Sequence, residues 1–469
     1  MGTGYVVDTT YADTFFRELS PTWLNYVAAL NGVAPRAADL PFRYLELGCG
    51  FGTSAIVHAA AHPAGEFHAC DLNETHICGA RSRASRLGVD NVHFHAQAFE
   101  ALLAAGLPSF DFIVLHGVYS WIDSPTRDIV LQLISRLLLP GGLVYVSYNA
   151  LPGWSHELPL RKLLVELAAT FEGTTADRSE RAAAVIGKLS GAELRYFTAN
   201  PGATSAVEAY VRGEGQYLAH EFMNAAWEPF YVVDVADAFS SIGLRQVGSA
   251  TLATNHLPLV LDTKPAQAIA GLATMRQQQL AVDFAINQRF RRDVFVRPGP
   301  ASSDRHHLHE AYIGCAMDIG DIGPTLRVPR GQVRFQEAFV RDVKTLMARG
   351  SYTFGEAVAT LADGGQERST VERNLLYLVA GGVLAPFAAA HSPDLTRITG
   401  VTRVVERALT DAVTRERDRV ILPSAVGGNG LQIDAAEARD LLEWCRGGAV
   451  ASQAIEPRLA RYARLGLVQ

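Results

Sequence analysis

Three glycines at alternate positions, Gly48, Gly50 and Gly52, follow an apolar run that contains Glu46. Glycines let a backbone turn tightly and approach a ligand closely. A second apolar run ends in Asp71, and a carboxylate placed after a strand in this way can bind ribose hydroxyls. The G-x-G-x-G spacing differs from the dinucleotide G-x-G-x-x-G, and Glu46 would crowd a pyrophosphate. These residues therefore predict a crevice for a cationic nucleoside ligand that carries no phosphate.

Alternating strand and helix patterns surround these residues and must position them. Strands are predicted at 43–47, 66–70, 92–95, 110–115 and 143–148, and helices at 53–62, 74–87, 98–105 and 126–138. A helix at 232–242 and strands at 243–248 and 293–297 continue the pattern. This alternation with short turns predicts an α/β fold, a Rossmann-like doubly wound parallel sheet whose ligands bind at the carboxyl ends of the strands.

A chain of 469 residues is too long for one ordinary core, so we expect several domains. We predict an N-terminal cap over 1–40 and a core over 41–300 with helical insertions at about 155–225 and 264–288. The Pro-, Gly- and Ser-rich stretch 298–303 predicts a linker. The C-terminal region, 301–469, is predicted to be mainly helical, with winged-helix character at 333–386 and helices over 400–469.

Composition narrows the function classes. The net charge of −6 argues against a nucleic-acid partner, because phosphate neutralisation needs clustered basic residues. The five cysteines form no C-x-x-C pair, so we predict neither a disulfide framework nor a metal site. No signal peptide and no membrane span is predicted, and we expect a cytoplasmic protein. A homodimer is compatible with the sequence.

Several motifs together resemble one family. Leu45-Glu46-Leu47-Gly48-Cys49-Gly50, the Pro140-Gly141-Gly142 turn and the loops 115–121 and 147–154 are similar to those of class I S-adenosylmethionine (AdoMet) methyltransferases. Together with 217–222 and 227–231, they resemble the bacterial group that carries a methyltransferase regulatory domain, which includes the rickettsial protein lysine methyltransferases. The resemblance covers about 1–300 closely and 300–469 loosely.

The resemblance implies AdoMet as the cofactor and assigns residues to its site. The glycine turn and Asp71 bind the nucleoside, the loop after the third strand meets the adenine, and the loop after the fourth strand faces the methyl donor. The predicted cofactor-binding residues are Glu46, Gly48, Cys49, Gly50, Gly52, Asp71, Leu72, Ala98, Phe99, His116, Gly117 and Trp121.

Aromatic and polar residues after the fourth and fifth strands predict an acceptor pocket. Aromatic faces attract a sulfonium by about 0.5–2 kcal/mol, and an apolar pocket lowers the pKa of an amine. The predicted substrate-binding residues are Tyr119, Trp121, Tyr148, Asn149, Trp154 and His220. No residue is assigned as a general base, and the His220-Glu221 pair is interpreted as structural.

Three functions remain open from the sequence. The first is an AdoMet-dependent methyltransferase acting on a protein side chain, with lysine as the favoured acceptor. The second is the same chemistry on a small metabolite or natural product. The third is a non-catalytic AdoMet-binding regulator whose C-terminal region recruits a partner.

Overall fold

The computed structural model describes residues 13–36, 40–192, 194–213, 215–299, 306–392, 401–447 and 449–468. The strands are β1 Phe42–Leu47, β2 Gly65–Asp71, β3 Val92–Ala96, β4 Phe110–Leu115, β5 Leu138–Asn149, β6 Arg245–Ser249, β7 Phe290–Val296, β8 Tyr312–Gly314, β9 Thr325–Val328, β10 Gly331–Arg334, β11 Tyr352–Thr353, β12 Ala385–Phe387, β13 Arg419–Ser424 and β14 Asn429–Asp434.

The helices begin with α1 Pro21–Leu30, α2 Thr53–Ala61, α3 Glu74–Leu87, α4 Phe99–Ala104, α5 Ser124–Leu137, α6 Leu158–Ala168, α7 Thr175–Gly191, α8 Arg195–Ala199, α9 Pro201–Arg212 and α10 Gly215–Phe222. They continue with α11 Val232–Ser241, α12 Leu257–Val260, α13 Thr263–Ala270, α14 Met275–Ile286, α15 His306–Glu310, α16 Glu337–Ala348, α17 Phe354–Ala362, α18 Arg368–Ala380, α19 Arg403–Thr414, α20 Ala435–Cys445 and α21 Ala449–Arg464. No helix of the described residues has both the length and the apolar character needed to cross a membrane.

Seven strands form one sheet in the order β3-β2-β1-β4-β5-β7-β6. Strands β1 to β5 run parallel, whereas β7 is antiparallel to both β5 and β6. The Rossmann-like α/β fold is therefore confirmed, and the sheet is mixed rather than wholly parallel. Strand β7 enters between β5 and β6 after the chain has already formed β6.

Helices cover both faces of this sheet. On one face, α1, α2 and α3 pack against side chains such as Tyr44, Phe67 and Phe112. On the other, α4, α5 and α11 pack against Leu45, Ile113 and similar residues. Strands that are buried on both faces read as continuous apolar runs rather than alternating ones, which is why the sequence revealed them.

A third apolar cluster joins helices α6 to α10 beside the carboxyl ends of β4 and β5. Buried Leu160, Leu164, Ile186 and Tyr210 form its centre, and Trp154 anchors it to the end of β5. These helices have their own apolar interior and form a layer along one side of the crevice.

The C-terminal region shares its core with the α1–α3 face of the sheet. Phe339, Phe354 and Leu409 belong to the same continuous buried cluster as Tyr44 and Phe67. Helices α16, α17 and α18 follow the predicted order, and β11, β8 and β12 form a small sheet beside them. The C-terminal region therefore packs directly on one face of the seven-stranded sheet.

Residues 400–469, which the sequence predicts to be helical, contain α19, α20 and α21 but also two strands that were not predicted. Strands β13 and β14 pair antiparallel there, from Arg419↔Asp434 to Ser424↔Asn429. The β-branched and apolar run 420–422 favours a strand, and Gly427 and Gly428 allow the tight turn that follows it. Helix α2 lies against both strands of this hairpin. The hairpin therefore packs on a helix of the main α/β unit.

Candidate active site

The glycine turn between β1 and α2 lies at the carboxyl edge of the sheet. Gly48, Gly50 and Gly52 all have positive φ, at 75°, 53° and 69°. A Cβ at Gly48 would lie 2.4 Å from the Val118 side chain, so close packing excludes any larger residue. A Cβ at Gly50 would have no neighbour within 4 Å, so the turn presents bare backbone to open space there. The turn can thus accept a ligand against its main chain.

Asp71 joins the end of β2 to this turn. Its Oδ2 accepts a hydrogen bond from the Gly50 N–H at 2.9 Å, and its Oδ1 accepts one from the Asn73 N–H at 2.9 Å. The carboxylate is thereby held at the edge of the crevice, half-buried, with further lone pairs able to accept ribose hydroxyls. The structure places Glu46, Gly48, Cys49, Gly50, Gly52 and Asp71 around one turn, as the sequence analysis expects.

Glu46 has an unusual environment. Its side chain is buried at 5% exposure, and no donor among the described residues meets its Oε2. Burial, together with the nearby negative charge of Asp71, raises the pKa of Glu46 to about 8. A buried carboxyl without a full set of partners costs free energy, so it fits a ligand that brings N–H donors and positive charge. The amino group of AdoMet has that chemistry.

The loops after β2 and β3 supply an apolar rim. Leu72 is an exposed apolar side chain, 58% accessible, directly after Asp71. Ala98 precedes the first turn of α4, and Phe99 is half-buried against the core on that face. The Leu72 side chain is therefore accessible for packing against a nucleoside base. The Phe99 ring is less accessible, because part of it packs against the core.

His116 at the end of β4 is fixed as a neutral imidazole. Its Nδ1 lies 2.8 Å from the Tyr145 hydroxyl, and its ring contacts the tilted ring of Phe16 from the N-terminal segment, with 3.8 Å between the ring centroids. Burial and the nearby Arg292 charge lower the pKa of His116 to about 3. It can therefore hydrogen-bond or pack against a ligand without adding positive charge next to a sulfonium.

The N-terminal segment approaches the crevice through Phe16. The Phe16 N–H donates to Ser54 Oγ at 3.0 Å, and His58 Nε2 bonds the Phe16 carbonyl at 3.1 Å. Both partners belong to α2, directly after the glycine turn. Sequence reasoning did not assign Phe16 to the site, because no local motif links it to a loop one hundred residues later.

Three of the predicted substrate-binding aromatics lie inside the protein. Tyr119 is 3% exposed among Phe230 and Phe239, and Tyr148 is fully buried with its hydroxyl donating to Asp293 at 2.6 Å. Trp154 is 5% exposed, and its indole N–H donates to the Arg289 carbonyl at 2.8 Å. The structure does not bring these rings together as the open aromatic pocket that the sequence analysis expects, because each ring packs in a core instead.

Two of the remaining predicted residues lie at the crevice, and one lies outside the described side chains. Trp121 is half-buried against the α6–α10 layer, and Gly117 donates its N–H to Ser147 Oγ at 2.9 Å. The side chain of His220 is not among those that the structure describes. Its neighbour Glu221, which the sequence analysis interprets as structural, has a described side chain that lies near the end of β5.

Glu221 meets Asn149 at the end of β5. The Asn149 amide nitrogen lies 3.4 Å from Glu221 Oε1, and the Asn149 backbone N–H donates to Ser120 Oγ at 2.9 Å. Burial raises the pKa of Glu221, an effect that Asn149 and Arg289 partly offset. A carboxylate from α10 therefore stands beside the end of β5, at the carboxyl edge of the sheet.

Comparison with known proteins identifies the class. The family model described as "Methyltransferase domain" matches residues 41–198, and the one described as "Predicted methyltransferase regulatory domain" matches residues 214–297. The uncharacterized protein sll1526 of Synechocystis is 31% identical over 442 residues, which cover 94% of this chain and 87% of that protein. The uncharacterized protein RP789 of Rickettsia prowazekii is 25% identical over 299 residues, covering 62% of this chain and 53% of its own length.

A solved structure has the same fold throughout. PKMT2 from Rickettsia typhi, determined in complex with AdoHcy, superposes with a TM-score of 0.72 at 16% identity and covers 98% of this chain and 99% of its own. The fold and the glycine site therefore define a class I AdoMet-dependent methyltransferase. The chain belongs to the family of Synechocystis sll1526, and in this chain a methyltransferase domain is followed by a methyltransferase regulatory domain.

Replacing Asp71 by alanine is expected to weaken AdoMet binding at least about tenfold, since a charged acceptor of hydrogen bonds contributes about 1.5–3 kcal/mol. Titration calorimetry on the full chain would measure the dissociation constant. Asp90→Ala, at an exposed position after α3, is the matched control. Equal affinities of the two variants would contradict the role of Asp71.

Proposed function

We propose that this methyltransferase transfers the methyl group of AdoMet to an amine on a protein side chain, and that the amine is that of lysine. The observation that carries the proposal is the carboxylate of Glu221 held beside Asn149 at the end of β5. The resemblance of its motifs to the rickettsial protein lysine methyltransferases, and the fold shared with rickettsial PKMT2, support it.

Bound AdoMet supplies an activated methyl group on a sulfonium. The residues of this chain need to align the acceptor with it, and alignment of two reactants supplies up to about 7–11 kcal/mol. Glu46, Asp71 and the glycine turn would hold the cofactor, and the neutral His116 would pack beside it without electrostatic repulsion.

A lysine amine must lose a proton before it can attack, because its usual pKa of about 10.4 leaves it charged at neutral pH. Glu221 attracts the ammonium form by charge. Because burial raises the pKa of Glu221 above its ordinary value, this carboxylate is also a better proton acceptor than an exposed one. Asn149 orients it through the amide contact.

The surroundings suit an acceptor that approaches from solvent. Tyr217 is 57% exposed and lies one helical turn before Glu221 on α10, so both side chains share one face. An aromatic face beside a carboxylate can pack along the aliphatic part of a lysine side chain. We further propose that residues 13–19, fastened to α2 through Phe16, cover the cofactor side of the crevice.

The test replaces Glu221 by glutamine and follows methyl-labelled AdoMet in a lysate of the source cells. We expect label in precipitable protein for the unmodified enzyme and a loss of rate of at least about 10²-fold for Glu221→Gln, since a general base typically contributes about 10²–10⁴-fold. Affinity for AdoMet should stay unchanged, which separates this role from cofactor binding. Glu208→Gln, an exposed substitution on α9, is the matched control.

The pH profile adds a second measurement. A base with a raised pKa is active only when deprotonated, so the rate should fall as the pH drops through that pKa, and this limb should disappear in Glu221→Gln. Label that enters only the small-molecule fraction would contradict the protein acceptor and favour a metabolite. Binding of AdoMet without any transfer would favour the non-catalytic regulator.

A further inference from the structure

Three histidines and a glutamate converge on one face of the sheet, at the edge formed by β2 and β3. Glu66 and His68 point to this face from β2, and His93 and His95 from β3, with His68 and His93 directly opposite in the parallel register. The methyltransferase chemistry uses none of them. His68 lies three residues before Asp71, so the cluster is about 10 Å along the strand from the cofactor crevice.

The donor atoms of three of these residues are close enough to share one ion. His68 Nε2 lies 3.2 Å and His93 Nε2 4.0 Å from Glu66 Oε1, and the donors of all three residues lie within 4.8 Å of one another. Ligands at 2.0–2.1 Å in a tetrahedral zinc site are about 3.4 Å apart. His93 is 52% exposed, so its ring is free to make the small movement that closes the site.

We propose that Glu66, His68 and His93 bind a divalent transition-metal ion, with zinc as the best fit, and that the ion fastens the edge strand β3 to β2. Two imidazoles and one carboxylate form a ligand set that zinc commonly uses, with a fourth position left to water. The mixed nitrogen and oxygen donors disfavour magnesium and calcium, which prefer all-oxygen sites.

The residues around the three ligands also match a metal site. His68 Nδ1 lies 3.0 Å from His95 Nε2, so a proton on Nδ1 would be donated to His95 and would leave Nε2 free to coordinate. Arg43 Nε donates to Glu66 Oε2 at 2.8 Å, which leaves Oε1 directed toward the imidazoles. Hydrogen-bonded ligands of this kind are the usual second layer around protein-bound metals.

The test adds Zn²⁺ or Co²⁺ to the untagged full-length protein after chelator treatment and dialysis. We expect one equivalent of Co²⁺ to bind with visible absorption bands, Zn²⁺ to displace it, and bound Zn²⁺ to raise the melting temperature. His93→Gln, an exposed change that should leave the fold intact by circular dichroism, is expected to weaken binding at least tenfold. Glu66→Gln should act in the same direction.

His309→Gln, on α15 and outside the cluster, is the control and should bind as the unmodified protein does. Failure of the unmodified protein to bind either ion at micromolar concentration would overturn the proposal. Equal binding by His93→Gln and the unmodified protein would overturn it as well. Neither outcome depends on methyltransferase activity, so the proposed function is tested separately.

Discussion

Glu46→Gln is expected to lower the affinity for AdoMet by about ten- to a hundredfold while making the ligand-free protein more stable at alkaline pH. The loss follows from removing a buried negative partner of the cofactor's amino group, since hydrogen bonds to charged groups contribute about 1.5–3 kcal/mol. The gain follows because the carboxyl is 5% exposed and its Oε2 meets no donor among the described residues. Glutamine keeps the shape and removes the charge.

The pH dependence of this effect has a definite sign. Because the pKa of Glu46 is raised to about 8 in the folded protein, the folded state holds a proton that the unfolded state releases near pH 4.5. The contribution of this group to stability is therefore complete below the unfolded pKa and is lost as the pH rises toward 8. Thermal unfolding of the ligand-free protein should show this decline, and Glu46→Gln should remove it.

Cofactor binding should also release a proton. At pH 7 the free carboxyl is mostly protonated, and a positively charged amino group beside it favours the ionised form. Titration calorimetry in buffers of different ionisation enthalpy would count the released proton. Glu100→Gln, exposed on α4, is the matched control. Unchanged AdoMet affinity in Glu46→Gln, or no proton release by the unmodified enzyme, would contradict this assignment.

Arg291→Met is expected to lower the free energy of unfolding by about 3–5 kcal/mol, the usual cost of removing one partner from a buried ion pair. The Arg291 side chain is 8% exposed and lies between Asp283 and Asp293, whose side chains are 0% and 1% exposed. Its Nε donates to Asp293 Oδ2 at 2.9 Å, and its Nη2 to Gln279 at 3.0 Å. Methionine would leave two buried carboxylates without a cation.

Denaturant unfolding would measure the loss, and pH supplies a further check. Burial already raises the pKa of Asp283 to about 6, despite the offsetting charge of Arg291. Without that charge Asp283 should take up a proton more readily, so the deficit of Arg291→Met should shrink as the pH falls from 8 to 5. Asp283→Asn combined with Asp293→Asn in the same variant should restore part of the loss.

The matched control for this substitution is Arg276→Met. Arg276 pairs with Asp237 on the surface, where the two side chains are 50% and 65% exposed. An exposed pair contributes only about 0–1 kcal/mol, so this variant should unfold close to the unmodified protein. A similar loss in both variants would show that buried charge neutralisation is not what holds α14 to β7.

The strands of the sheet could be predicted because each leaves a local pattern. Predicted strands at 43–47, 66–70, 92–95 and 110–115 match β1 to β4 within a residue or two. The tight turn after β1 could also be predicted from its glycines. Gly48 and Gly50 have positive φ, a conformation that other residues rarely adopt. The antiparallel direction of β7 could not be predicted, because it depends on how the chain folds back between β5 and β6 rather than on the residues of the strand.

The candidate site was predictable on its cofactor side and less so on its acceptor side. The glycine turn and the Asp71 carboxylate are close in sequence. One strand-turn-helix unit and the strand after it are therefore enough to bring them into contact. Tyr148 and Trp154 also adjoin the crevice in sequence, but their burial depends on residues far along the chain. Tyr148 packs with its hydroxyl on Asp293, and Trp154 packs against Phe222 and Trp227.

A cofactor crevice could be predicted from sequence because Glu46, the three glycines and Asp71 lie in one strand-turn-helix unit and the strand after it, and the resemblance of the motifs to a known family then indicated the class of protein. The contacts of Glu221 with Asn149, of Phe16 with His116, and of His93 with Glu66 and His68 became known only from the three-dimensional structure. Each of these pairings joins residues from different elements. Such contacts depend on how sheet, helical layer and N-terminal segment pack together, and packing of distant segments has no local sequence signal.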